Sequence, residues 1–255
     1  MIRGSEAFSR AYGAGWRLAL ALVGRDVTAT VGNVECTFRA TTRSEYTRAR
    51  TLGGERHVLA AFLADLQSDD VVWDLGACVG TYACFAARVA DHVVAFEPEP
   101  TNRAALTANL RHNAPRGRWT VAATALNRDG SSAGLRSEFV EAGGGHHRLV
   151  DDRAADGSPV ETAAGDDIAG TAFPSPDVVK IDVQGAELAV LEGLAETLHG
   201  VHTVYIEVHE SMGDRYGDSP AHLEELLREA GFELDRLAGP TTNRAGVSFL
   251  RAVRS

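Results

Sequence analysis

Four apolar runs in this chain end in residues able to hold a ligand or move a proton. Asp74 closes Val71-Val-Trp-Asp-Leu75, Glu97 closes Val93-Val-Ala-Phe-Glu97, Asp182 follows Val178-Val-Lys-Ile181, and Glu207 and His209 end Thr203–His209. Short apolar runs bounded by turn signals read as buried strands. In doubly wound α/β sheets, ligands bind beyond the carboxyl ends of such strands. Three acids, a further glutamate and a histidine at those ends describe a cleft that binds a polar ligand and can take up a proton.

The first tip continues as Gly76-Ala77-Cys78-Val79-Gly80-Thr81, a glycine turn with a helix opening near Thr81. A dinucleotide turn has glycine at three places, G-x-G-x-x-G. Counted from Gly76, the second and third are Cys78 and Thr81. A carboxylate at Asp74 would also repel a pyrophosphate on the helix N-terminus. It suits a ligand with positive charge, such as the ammonium and sulfonium of S-adenosylmethionine. Glu97 follows Asp74 by 23 residues, where an acid accepts both hydroxyls of an unphosphorylated ribose. Pro98 stops that strand. Trp119–Leu126 reads as a third strand whose end, Ala125-Leu126-Asn127, lies beside Glu97, where an adenine ring would be read. The plain alternative is a strand-to-helix turn with an exposed acid.

Lys180 and Asp182 interrupt an otherwise apolar strand. Buried charges without partners are costly, so both are expected at its carboxyl end, facing the cleft. Glu207 and His209 share one side of their strand, at the same cleft edge. Taking a proton from a ligand hydroxyl in such a cleft needs a positioned base. The candidates are His209 and Asp182, with Glu207 orienting His209, and Lys180 pairing with Asp182 or steadying the developing alkoxide. Glu187 sits in the first turn of a helix, where the dipole favours an acid on its own account.

The remaining elements hold this set. Residues 5–23 read as a helix, and Val27–Val31 with Glu35–Ala40 as a hairpin turned at Gly32-Asn33. The polar run Thr41–Arg50, with Arg43, Arg48 and Arg50, reads as a solvated loop, or as a lid that brings cations to an anionic acceptor. Glu55–Leu66 is a helix leading into the first central strand. Ala133–Val140 reads as a returning antiparallel strand, 141–159 as the longest irregular stretch, and Phe232–Leu237 with Gly246–Val253 as a closing antiparallel pair. Within 141–159, His146-His147 and Asp151-Asp152 match no metal-site spacing, and no metal is expected.

The chain has 255 residues, 44% apolar and 24% charged, room for one full core. Its formal charge of −10 disfavours a non-specific grip on nucleic acid or an anionic membrane. Cys36, Cys78 and Cys84 form no metal spacing and suit a reducing, cytoplasmic setting. No apolar run approaches a membrane span, and Trp16–Val23 lacks the marks of a signal peptide.

Taken together, these pieces resemble the FkbM-type methyltransferases, a branch of the class I S-adenosylmethionine-dependent enzymes. The resemblance covers roughly residues 55–210. It rests on Val72–Gly80, Ala95–Pro98, Asn102, Leu106, Asn109, Asn113, Ala125-Leu126 with Asp129-Gly130, Val179–Glu187 with Leu191-Glu-Gly193, and Ile206–His209. Cys78 stands where such turns often have asparagine, and Gln184 where glutamate is usual. The resemblance implies an α/β, doubly wound, mostly parallel seven-stranded sheet with its last strand antiparallel. It implies Asp74, Gly76 and Gly80, with Ala77, Cys78 and Thr81 of the same turn, around the methionine part of the cofactor. Glu97 and Pro98 would lie at the ribose, Ala125 and Leu126 at the adenine. O-methylation of a hydroxyl on a sugar, polyketide or related small metabolite is implied as the activity. Residues 1–54 would form a separate extension on the substrate side, through which a homodimer could form, and 55–255 the cofactor-binding domain. The competing readings are a nucleotide-dependent oxidoreductase or epimerase, a nucleic-acid methyltransferase, and a non-catalytic module that binds an adenosyl ligand.

Overall fold

The computed structural model describes residues 15–16, 25–131, 133–137, 142–143, 147–151, 158–209, 220–238 and 247–254. The helix expected over 5–23 thus falls outside the described residues apart from Gly15 and Trp16, as does most of the 141–159 stretch. In chain order the elements are β1 (Asp26–Val31), β2 (Val34–Arg39), α1 (Arg43–Thr51), α2 (Arg56–Asp65), β3 (Val71–Leu75), α3 (Thr81–Ala86), β4 (His92–Phe96), α4 (Pro100–Asn113) and β5 (Arg118–Ala122). There follow β6 (Ala125–Leu126), β7 (Ala133–Ser137), β8 (His147–Asp151), β9 (Ser158–Val160), β10 (Thr162–Ala163), α5 (Gly165–Ile168), β11 (Val178–Ile181), α6 (Glu187–Glu192), β12 (Thr203–His209), α7 (Pro220–Glu229), β13 (Glu233–Arg236) and β14 (Val247–Val253).

Seven strands form the central sheet in the order β13-β14-β12-β11-β3-β4-β5. β12, β11, β3, β4 and β5 are parallel, while β14 runs antiparallel to both neighbours. This is the expected sheet. Its inner strands read as continuous apolar runs because both faces are covered. One cluster packs Phe62, Tyr82, Phe85, Leu106 and Leu110 on one side, and a second packs Trp73, Phe96, Ile181, Leu191 and Leu227.

The hairpin β1–β2 forms as expected, with Val31 opposite Val34 across Gly32-Asn33. Its apolar face shares the first core: Phe38 lies against Phe85. The backbone of Thr37 bonds to Asn113, its N–H to Oδ1 at 2.7 Å and its carbonyl to Nδ2 at 2.9 Å.

Two expectations are corrected. The run over 41–50 is not a loop, since residues 43–51 form α1. The Thr42 hydroxyl accepts from Glu45 N at 3.1 Å while the Glu45 carboxylate accepts from Thr42 N at 3.0 Å. This reciprocal cap satisfies amides that otherwise lose their partners at a helix start. The third strand is also not continuous to Leu126. β5 ends at Ala122, and Ala125–Leu126 pairs instead with Thr162–Ala163.

Candidate active site

A cleft opens beyond the carboxyl ends of β3, β4 and β11, where doubly wound sheets bind their ligands. Gly76 and Cys78 form one wall, Glu97 and Pro98 another, Ala125 and Leu126 a third, and Asp182 to Gln184 a fourth. Arg48 also lines it.

The glycine turn is dictated by close approach. At Gly76, φ is +77°, and a Cβ would stand 1.9 Å from the Asp182 carbonyl oxygen. No side chain fits there. Gly76 N and Ala77 N both donate to the Phe96 carbonyl at 3.0 Å, which ties the turn to β4. Ala77, Gly80 and Thr81 build the turn and the start of α3 without standing on the cavity wall. Gly80 has φ +89°, and its Cβ would meet Leu106 at 2.6 Å. Cys78 has φ 51°, a left-handed conformation that asparagine tolerates better than cysteine.

Glu97 faces the cavity and is only 4% exposed. Its two carboxylate oxygens accept from Cys78 N and Glu99 N, each at 2.8 Å. Burial pushes its pKa up to about 8, against the pull of those two amides.

Asp74 departs from expectation. It does not face the cavity but turns inward, 1% exposed, where Oδ2 accepts from Ala83 N at 3.0 Å and Oδ1 lies 3.6 Å from Lys180 Nζ. The cause is register: Lys180 of β11 stands opposite Asp74 of β3, on the side covered by α3. Burial raises the pKa of Asp74, with Lys180 opposing. The acids available to a ligand are therefore Glu97 and Asp182, not Asp74 and Glu97.

Asp182 lines the cavity. Lys180 Nζ lies 3.5 Å from its Oδ2, and Gln184 Nε2 donates to its Oδ1 at 2.7 Å. Burial would raise its pKa, but Lys180, His209 and Arg48 hold it below the usual value. Lys180 also stands 4.9 Å from the centre of the Tyr82 ring. Burial would lower its pKa; the charges of Asp182 and Asp74 raise it.

Glu207 and His209 share a face of β12, as expected, but stand behind Asp182 rather than on the cavity wall. Ligating atoms of Asp182, Glu207 and His209 all lie within 4.8 Å of one another, and the same three could hold a metal ion. The residue that orients His209 is not the one expected. His209 Nδ1 lies 2.8 Å from Glu187 Oε1, whereas Nε2 is 3.7 Å from Glu207. Glu187 Oε1 also accepts from Gly185 N at 3.0 Å, which fixes the loop between Asp182 and α6.

The family model for the methyltransferase FkbM domain matches residues 74–234. The hexuronic acid methyltransferase AglP of Haloferax volcanii is 34% identical over 205 residues, 79% of this chain and 80% of that protein. The AMB antimetabolite synthetase AmbE of Pseudomonas aeruginosa is 30% identical over 206 residues, 66% of this chain and 10% of that much larger protein. Among solved structures, the methyltransferase FkbM from Methylobacillus flagellatus KT superposes with a TM-score of 0.53 at 16% identity, over 82% of this chain and 52% of that one. At that identity the likeness is one of fold. No helix among the described residues is long and apolar enough to cross a membrane.

Proposed function

This chain belongs to the FkbM family of S-adenosylmethionine-dependent methyltransferases, and on that premise we propose that it methylates a hydroxyl of a sugar, with an acidic sugar as the preferred acceptor. The similarity to a hexuronic acid methyltransferase over 79% of the chain supports the choice of acceptor. The observation that carries the mechanism is the position of Asp182, on the cavity wall between the glycine turn and His209.

The cofactor would supply the methyl group on a sulfonium, and the chain's groups suit it. Glu97 offers a carboxylate to the ribose hydroxyls, Ala125 and Leu126 an apolar wall to the adenine, and the turn at Gly76 a close backbone approach. Asp182 accepts a hydrogen bond from the acceptor hydroxyl and holds its oxygen toward the methyl carbon. With a methyl donor bound, the acceptor oxygen would take the methyl group as the sulfonium sulfur releases it, and the hydroxyl proton would pass to the pair Asp182 and His209. In the empty site His209 is pushed up to about 9 and holds a proton at neutral pH. A positive charge bound nearby would favour the neutral form of this imidazole, which could then act as base.

His209→Gln and Asp182→Asn are each expected to cut turnover by roughly 100-fold or more. The affinity for S-adenosylhomocysteine, measured by calorimetry, should change little in His209→Gln. Full turnover in both variants, with any sugar acid that the wild type methylates, would remove these residues from the chemistry.

A further inference from the structure

Arg48 is the one arginine or lysine among the described residues lining the cavity, whose acidic groups are Glu97 and Asp182. It comes from α1, upstream of residue 74, where the family match begins. Its placement is built rather than incidental. The reciprocal cap of Thr42 and Glu45 fixes the start of α1. The Thr42 hydroxyl then donates to the Ala142 carbonyl at 2.7 Å, and Gly143 N donates to Asn102 Oδ1 of α4 at 2.9 Å. Gly143 has to be glycine, with φ +83° and a Cβ that would meet Glu45 N at 2.7 Å. Residues 142–143 thus clamp α1 against α4.

Arg48 Nε donates to the Gly143 carbonyl at 3.4 Å, a long bond that sets the plane of the guanidinium. The carboxylates of Glu55, Asp182 and Glu207 favour its charged form against the cost of burial. Nearby, Lys180 pairs with Asp74 and Asp182, and His209 with Glu187. A guanidinium that lines a ligand cavity matches a planar carboxylate, which it can bind through two parallel bonds.

We infer that Arg48 receives a carboxylate of a bound ligand within the cavity. The inference rests on the methyl-transfer reading, because two ligands of that reaction carry the group: the amino-acid end of the cofactor and the acid of a uronic sugar. The two sources separate experimentally. Arg48→Met and Arg48→Lys would be titrated with S-adenosylhomocysteine and with 5′-methylthioadenosine, which lacks the amino-acid end. Both variants would also be titrated with glucuronate and with glucose in the presence of S-adenosylhomocysteine. In Arg48→Met, one carboxylate ligand should weaken by roughly tenfold or more, the scale of a lost charge-assisted bond. Its carboxyl-free counterpart should stay within about twofold of wild type on the same reasoning. Arg48→Lys, which keeps the charge but not the fork, should fall between. Should Arg48→Met melt below the assay temperature, Arg48→Lys alone decides. Unchanged affinity for both carboxylate ligands, in a protein whose wild type binds S-adenosylhomocysteine, overturns the inference. A wild type that binds no S-adenosylhomocysteine overturns the methyl-transfer reading first, and the inference with it.

Discussion

His209 Nδ1 stands 2.8 Å from Glu187 Oε1, and each side chain is 6% exposed. Burial alone would lower the imidazole pKa. The Glu187 hydrogen bond and the charges of Asp182, Glu187 and Glu207 more than reverse this, to about 9 against an ordinary 6.5. A raised pKa in the folded state means stability that is complete below about pH 6.5 and is lost as pH rises through about 9. Glu187→Gln removes the charge and keeps the shape. It is expected to move the His209 ring titration down by about one unit or more. It should also flatten the fall in melting temperature between those two pH values. Ring-proton NMR, with His209→Gln to assign the resonance, measures the first; an unmoved titration would mean that Glu187 does not set the charge of His209.

Glu97 gives a different pH signature. Its pKa near 8 leaves the carboxyl largely protonated at neutral pH in the empty cavity. To accept two ribose hydroxyls it must be ionised, so binding of an adenosyl ligand releases a proton. Affinity for S-adenosylhomocysteine is expected to rise between pH 6 and 8, by up to about tenfold per unit, and then to level off. Calorimetry in two buffers of different ionisation enthalpy should register the released proton near pH 7. Glu97→Gln should bind more weakly and lose the slope. A flat profile in the wild type would place the ribose elsewhere.

The strand tips were legible because buried parallel strands must be continuously apolar, so a charge within one marks its end. The hairpin and the closing antiparallel pair were legible from turn residues at the right spacing. The direction of Asp74 was not, since it depends on which residue of β11 stands opposite. That register joins positions 74 and 180, far apart in the chain. Glu187 as the partner of His209 was hidden for the same reason, because a loop returns it to β12 from a position 22 residues earlier. α1 is another matter. Its polar composition suggested a loop, yet Thr42-Arg-Ser-Glu45 has the spacing of the reciprocal cap. The helix that this cap starts carries Arg48 to the cavity.

Asp74 and Lys180 are coupled, and the inward turn of Asp74 changes what its loss should do. With Oδ1 3.6 Å from Lys180 Nζ and Oδ2 on Ala83 N, Asp74 joins β3 to α3 and to β11 beneath the cavity. Lys180→Met leaves Asp74 and Asp182 buried near each other without their shared cation, a cost of about 3–5 kcal/mol. Asp74→Asn keeps the amide contact through its carbonyl oxygen and leaves Lys180 paired with Asp182, so its cost is smaller. In the double variant one of the two stranded acids is gone. It is therefore expected to be more stable than the sum of the single losses by about 1–3 kcal/mol. Urea unfolding of the four proteins gives this coupling directly. Additive losses would mean that Lys180 is held by Asp182 alone and that Asp74 acts only through Ala83.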